Sequence, residues 1–250
     1  MKKDYHIHTK ISEDCKLPAE ELIAKAIEKG YTTIAFTDHL EMLFPKWSFH
    51  PDMTFSEYIA YFASLKDKYS TQIEILTGVE IGEYHVTIPQ VKDYFGGLKP
   101  DLIIGSIHTL LPNTNISIPL EQALTPQEII KYYKANLELV EKCDIDILGH
   151  LGIFTRYLKH DITHALPICR DIFQVMVAKN IVLEINYSGL RKTTQQFMPH
   201  FEVLEEYAKQ GGKRVSIGSD THVISDFDDN YDRVIEILEE KELLHEFSLI

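Results

Sequence analysis

The chain has 250 residues, 44% of them hydrophobic and 25% charged, with a formal net charge of −13. That profile is globular, and long enough for one large α/β domain or two small ones. So acidic a balance lacks the basic footprint that general nucleic-acid or anionic-membrane binding requires, so neither partner is expected.

DYHIH (4–8) reads as a first strand, followed by a helix over PAEELIAKAIEKG (18–30), bounded by Pro18 and Gly30. TTIAFTD (32–38) is the second strand and TFSEYIAYFASLKDKY (54–69) the second helix. IEILTGVEI (73–81) and DLIIGSIH (101–108) are strands, and the helix over 125–142 opens with a Thr125-x-x-Glu128 capping box. DILGH (146–150), IVLEIN (181–186) and RVSIGSD (214–220) complete the strands, and helices are predicted over 161–180, 195–212 and 230–244. The strands are short, β-branched and almost continuously apolar, which suits a parallel sheet buried on both faces.

Seven strands, six of them followed by a predicted helix, imply helices outside a parallel sheet, and a barrel of seven βα units fits them better than an open sheet. No linker, repeat or low-complexity tract divides the chain, so one domain over 1–250 is expected. The segments 40–54 and 109–124 are too long for minimal turns, and long βα loops are where a barrel keeps its chemistry. No run approaches 18 apolar residues, and MKKDYHIHTKIS has no apolar stretch after its lysines, so neither a membrane span nor a secretory signal is read. Cys15, Cys143 and Cys169 are odd in number and far apart, which suits a reducing cytoplasm better than a disulfide framework.

The chain carries 12 histidines. Many of them, with several acids, fall at the C-terminal ends of strands: His6 and His8, Asp38 and His39, Glu80, His108, His150, Glu184 with Asn186, and Asp220 with His222. Strand C-termini converge on one face of a barrel, so these residues would meet in one pocket. Imidazole and carboxylate without thiolate suit Zn²⁺, Mn²⁺ or Fe²⁺ in a catalytic site. His6 and His8, two apart, point to one side of a strand, and Asp220 and His222 repeat the spacing. So many candidates imply two or three ions, with Glu80 able to bridge a pair. Taken singly, each of these residues is as well explained by core hydrogen bonding or helix capping; the phasing at successive strand ends is what separates them. His160, His164, His200 and His245 read as surface residues, and His50 and His85 are left open. Arg156 and Arg191 fall in βα loops on the same face, and guanidinium forks suit an anionic substrate group; a solvated loop arginine is the competing reading for either.

HIH (6–8), FTDH (36–39), GVEIG (78–82), GSIH (105–108), GHLG (149–152) and GSDTH (218–222), in this order, resemble the polymerase and histidinol phosphatase (PHP) superfamily. The resemblance runs from Asp4 to about His222. EINYSGLRK, FTDHLE and GHLGIFTRY are similar to its stand-alone histidinol-phosphatase branch. The resemblance implies a distorted (β/α)7, TIM-like α/β barrel. It implies a trinuclear site held by His6, His8, Asp14, His39, Glu80, His108, His150, Asp220 and His222; many relatives carry histidine where Asp14 stands. It also implies phosphate binding by Arg156 and Arg191, and a supporting role for Asp38 in orienting an imidazole.

The reaction implied is hydrolysis of L-histidinol phosphate to L-histidinol and phosphate by a metal-bound hydroxide. Glu80, Asp220, His222, Arg156 and Arg191 form the catalytic set. Glu83, Tyr84, Trp47 and the 109–124 loop are candidates for recognising the rest of the substrate. Another phosphatase or phosphodiesterase of the superfamily, acting on phosphotyrosine, a nucleotide or a sugar phosphate, is the alternative enzyme. A non-catalytic metal-binding barrel is the alternative from a different class.

Overall fold

The computed structural model describes residues 1–43, 53–110 and 112–250. Its strands are β1 (Lys2–Ile7), β2 (Tyr31–Phe36), β3 (His39–Leu40), β4 (Glu74–Gly82), β5 (Leu102–Ser106), β6 (Thr109–Leu110), β7 (Thr114–Asn115), β8 (Ile147–Leu148), β9 (Val182–Asn186), β10 (Arg214–Gly218) and β11 (Ser248–Leu249). Its helices are α1 (Ala19–Glu28), α2 (Phe55–Tyr69), α3 (Tyr84–Phe95), α4 (Pro126–Lys142), α5 (Leu166–Lys179), α6 (Phe201–Lys209) and α7 (Tyr231–Glu240).

The main sheet runs β1-β2-β4-β5-β8-β9-β10-β11, with β3 paired to β4, and every pairing is parallel. Its seven principal strands are the seven read from the sequence, and they curl into a distorted α/β barrel. The seam between β1 and β10 closes at the C-terminal rim. There Asp220 N–H donates to the His6 carbonyl at 2.9 Å and His8 N–H to the Thr221 carbonyl at 3.1 Å.

At the other end β11 lies against β10, and Ile250 packs with Tyr5, Ala35, Ile104, Ile147 and Val182 in an apolar floor otherwise drawn from strands alone. A register irregularity between Asp4 and Ile7 lets Tyr5 fill that floor while His6 and His8 enter the rim above it. Outside the sheet the helices bury Leu22 and Ile23, Tyr58 and Phe62, Tyr132, Phe173 and Val234 in a continuous outer core. Among the described residues no helix is long and apolar enough to cross a membrane.

Several boundaries differ from expectation for local reasons. Helix α3 has no apolar periodicity clear enough to predict it: Pro89 lies within it and Thr87 departs from helical geometry. Helix α6 begins at Phe201 rather than 195, because Met198 pairs antiparallel with Asn186 across two backbone hydrogen bonds of 2.8 and 2.9 Å. The helix expected over 161–180 is a 3₁₀ turn, Thr163–Ala165, leading into α5. The long 109–124 loop contains the β6–β7 hairpin, and β11 was not anticipated. Of the 40–54 loop, residues 44–52, with Trp47 and His50, lie outside the described residues.

Candidate metal centre

Strand β4 delivers Glu80 to the middle of the rim, fully buried. Its Oε2 faces three imidazoles: His39 Nδ1 at 2.9 Å, His6 Nε2 at 3.3 Å and His8 Nε2 at 3.6 Å. Its Oε1 faces two others, His150 Nε2 at 2.8 Å and His108 Nε2 at 3.2 Å, and accepts the Ser106 hydroxyl at 2.7 Å. One carboxylate thus divides two groups of nitrogen donors. Asp220, just past β10, places Oδ1 3.5 Å from both His8 Nε2 and His222 Nδ1. Asp14 sets Oδ2 3.2 Å from His222 Nε2 and 3.5 Å from His39 Nε2.

The imidazoles are aimed by carboxylates behind them. His6 Nδ1–H donates to Glu184 at 2.6 Å, and the other Glu184 oxygen accepts the His150 backbone N–H at 2.5 Å. His108 Nδ1–H donates to Glu41 at 2.7 Å. Each bond fixes a tautomer that leaves Nε2 free to face the cluster. Two glycines make room: a Cβ on Gly218 would run into Glu184 and lie 2.8 Å from the His6 Cβ, and one on Gly82 would run into Glu41. The GVEIG and GSDTH motifs therefore owe a glycine each to the space behind an imidazole.

Asp38, expected to help orient an imidazole, accepts from Thr9 N–H at 2.6 Å and the Ser12 hydroxyl at 2.8 Å. Its influence on His8 passes through Ser12, whose Oγ is 3.4 Å from His8 Nδ1.

The charges pull on one another strongly. Burial alone would raise the Glu80 pKa, but His6, His108 and His39 hold it well below the usual carboxylate range. Burial would lower His39, yet Glu80 and Asp14 raise it to about 10. His8 is lowered by burial and by its neighbours His222 and His39. The carboxylates draw positive charge into a buried site.

His6 Nε2, His8 Nε2, His39 Nδ1, Glu80 Oε2 and His222 Nε2 are buried and, although ion-pair neighbours lie close, make no well-aligned hydrogen bond. Orphaned polar atoms in such number are costly unless another group satisfies them. The sets His6/His8/Glu80, His39/Glu80/His108 and His8/His39/His222 each bring their donor atoms within 4.8 Å of one another. That is close to the span of donors around one ion at bond lengths of roughly 2.0–2.2 Å, so the donor set fits divalent cations.

Above the cluster lies a cavity of about 600 Å³, lined by Asp14, His39, His108, His150, Arg156, Arg191, Lys192, Asp220 and His222 among others. Arg156 meets Asp220 Oδ2 at 3.2 Å and its Nε has no partner. Arg191 is more heavily committed, to Asp226 at 3.1 Å, Asp229 at 3.2 Å and the Ser219 carbonyl at 2.7 Å. The 109–124 loop contributes Asn115, Ser117 and Ile118 to the lining. Glu83 and Tyr84 are buried and do not line it, and Trp47 lies outside the described residues.

The remaining histidines divide. His164 and His245 are exposed, whereas His160 and His200 are half-buried rather than on the surface, and His85 is half-buried on α3. His160 accepts Leu124 N–H at 3.0 Å and donates to the Leu158 carbonyl at 2.8 Å. Sequence reasoning missed Glu41; its signal was the position two residues beyond His39, on the same side of an extended segment.

Residues 4–188 match the model of the PHP domain family. A probable histidinol-phosphatase from Clostridium acetobutylicum is 28% identical over 248 residues, covering 94% of this chain and 92% of its own. The histidinol-phosphatase of Lactococcus lactis is 25% identical over 236 residues, covering 89% and 85%. A crystal structure of histidinol phosphate phosphatase from Lactococcus lactis, complexed with zinc, L-histidinol and phosphate, superposes with a TM-score of 0.79 at 24% identity. That superposition covers 100% of this chain and 95% of that one, and at such identity it establishes a shared fold.

Proposed function

The chain belongs to the PHP domain family, and we propose that it is a divalent-metal phosphomonoesterase hydrolysing L-histidinol phosphate to L-histidinol and phosphate. The observation that carries this reading is Glu80, whose two oxygens face separate groups of imidazoles beneath a cavity that also holds two arginines. The histidinol-phosphatase names of full-length relatives supply the substrate. Two to three ions (Zn, Mn or Fe) would be held by His6, His8, Asp14, His39, Glu80, His108, His150, Asp220 and His222. When bound, such cations acidify water towards neutral pH and offset the charge of a phosphoryl group.

The protein's own groups do the rest. Arg156, turned by Asp220, and Arg191, turned by Asp226 and Asp229, present fixed donors to phosphate oxygens. Arg156 has the weaker competition and takes the larger share. Glu80, Asp220 and His222 complete the catalytic set, while Glu184 and Glu41 keep the imidazoles in register. Water is the nucleophile in this reading, because the thiols of Cys15, Cys143 and Cys169 are buried and pushed up to about 12 by that burial. Free cysteines suit a reducing compartment, and we place this one-domain enzyme, residues 1–250, in the cytoplasm.

The deciding experiment is phosphate release by the metal-loaded protein from L-histidinol phosphate, p-nitrophenyl phosphate, phosphotyrosine and a dinucleotide. A kcat/KM for histidinol phosphate of about 10⁴ M⁻¹s⁻¹ or more, far above the others, is expected. Equal and feeble rates on all four would overturn the substrate assignment.

A further inference from the structure

Glu83 follows β4 and precedes α3 with its backbone in the left-handed region, at φ 46° and ψ 36°. A residue other than glycine stays there only when its surroundings over-determine it. Its side chain is 0% exposed and lines no part of the cavity, so it has no direct access to a substrate.

Glu83 Oε1 accepts two successive backbone donors, His108 N–H at 2.7 Å and Thr109 N–H at 2.8 Å. Its own N–H donates to the Ser106 carbonyl at 3.0 Å. Glu83 therefore grips the chain on both sides of Ile107. The His108 carbonyl accepts Ile116 N–H at 2.9 Å, and Thr109 faces Asn115 across the β6–β7 hairpin. Immediately beyond, Ser117 and Ile118 form part of the cavity wall. One carboxylate oxygen thus fixes both the main chain that carries the His108 imidazole and the root of the hairpin that walls the cavity.

We propose that Glu83 is a positioning residue that ties His108 and the substrate-facing hairpin into one unit, so that metal affinity and substrate affinity depend on the same buried carboxylate. The inference rests on the reading of His108 as a metal ligand.

The test uses the full zinc-loaded chain and the variants E83A and E83Q, with three readouts. These are hydrogen exchange over residues 106–118, zinc affinity by chelator competition, and KM for L-histidinol phosphate beside Ki for inorganic phosphate. For E83A, exchange should quicken, zinc should bind about 10-fold more weakly and KM should rise about 10-fold at saturating zinc, the scale of losing a supporting group. The phosphate Ki, set by the arginines and the ions, should move less than about threefold. E83Q keeps an acceptor oxygen for both N–H groups and should restore all values close to wild type. Should E83A not fold, E83D, one methylene shorter, carries the same expectation.

Wild-type exchange and zinc affinity in E83A would overturn the proposal, as would an E83Q as impaired as E83A. If the wild type does not hydrolyse histidinol phosphate, the catalytic reading fails while the exchange and zinc readouts still decide the role of Glu83.

Discussion

Glu80 holds five imidazoles within 3.6 Å of its two oxygens, so no neighbour can replace it. E80A should lower kcat about a thousandfold or more, the equivalent of ~4 kcal/mol of transition-state stabilisation, and bind less metal. Near-normal turnover in that variant would remove the proposed centre. Gly218 tests the supporting layer without touching a donor atom. Its added Cβ would displace Glu184 from His6, so G218A should weaken metal binding about 10–100-fold, as read by chelator competition. Wild-type affinity there would mean that Glu184 does not set the ring.

At the scale of elements, α4 and α2 both begin with reciprocal capping boxes, at Thr125/Glu128 and Thr54/Glu57. T125A removes an acceptor for the Glu128 N–H and should cost about 1 kcal/mol. In a chain of this size that lowers Tm by roughly 2–4 °C in a thermal melt. The box was legible because capping is local in sequence and carried by two characteristic residue types.

His160 ties that loop down by accepting Leu124 N–H, which only the neutral ring can do. Burial lowers its pKa below the ordinary 6.5. Below pH 6.5 the unfolded chain takes up a proton that the folded chain resists, so this contribution is present above 6.5 and is lost as pH falls towards the folded value. Tm measured from pH 8 to pH 5 should therefore fall more steeply for the wild type than for H160Q. Identical slopes would dismiss the role.

For the whole molecule, the donor groups come from β1, β3 and β4 themselves and from the segments that follow β1, β5, β8 and β10, so bound ions would staple the rim of the barrel. Removing them with a chelator should lower Tm by on the order of 10 °C, and reloading should restore it. A melt indifferent to metal would argue that the strands and the apolar floor alone hold the rim together.

The sequence by itself determined the seven parallel strands, because burial on both faces demands continuous apolar runs, and the strand-end positions of the histidines and acids, because a barrel's period repeats them. It also marked Arg156 and Arg191, since arginines beside so many acidic groups stand out. Only the tertiary structure decided the partners. Glu184 lies 178 residues from His6, and Glu41 67 from His108, separations at which no periodicity links two side chains. It linked Asp38 to His8 through Ser12, showed Arg191 braced by Asp226 and Asp229, and turned Glu83 inward beneath the hairpin. Backbone pattern is written locally and survives in one dimension. Which carboxylate meets which ring depends on how the strands curl and where the rim closes, and that is settled only when distant segments pack.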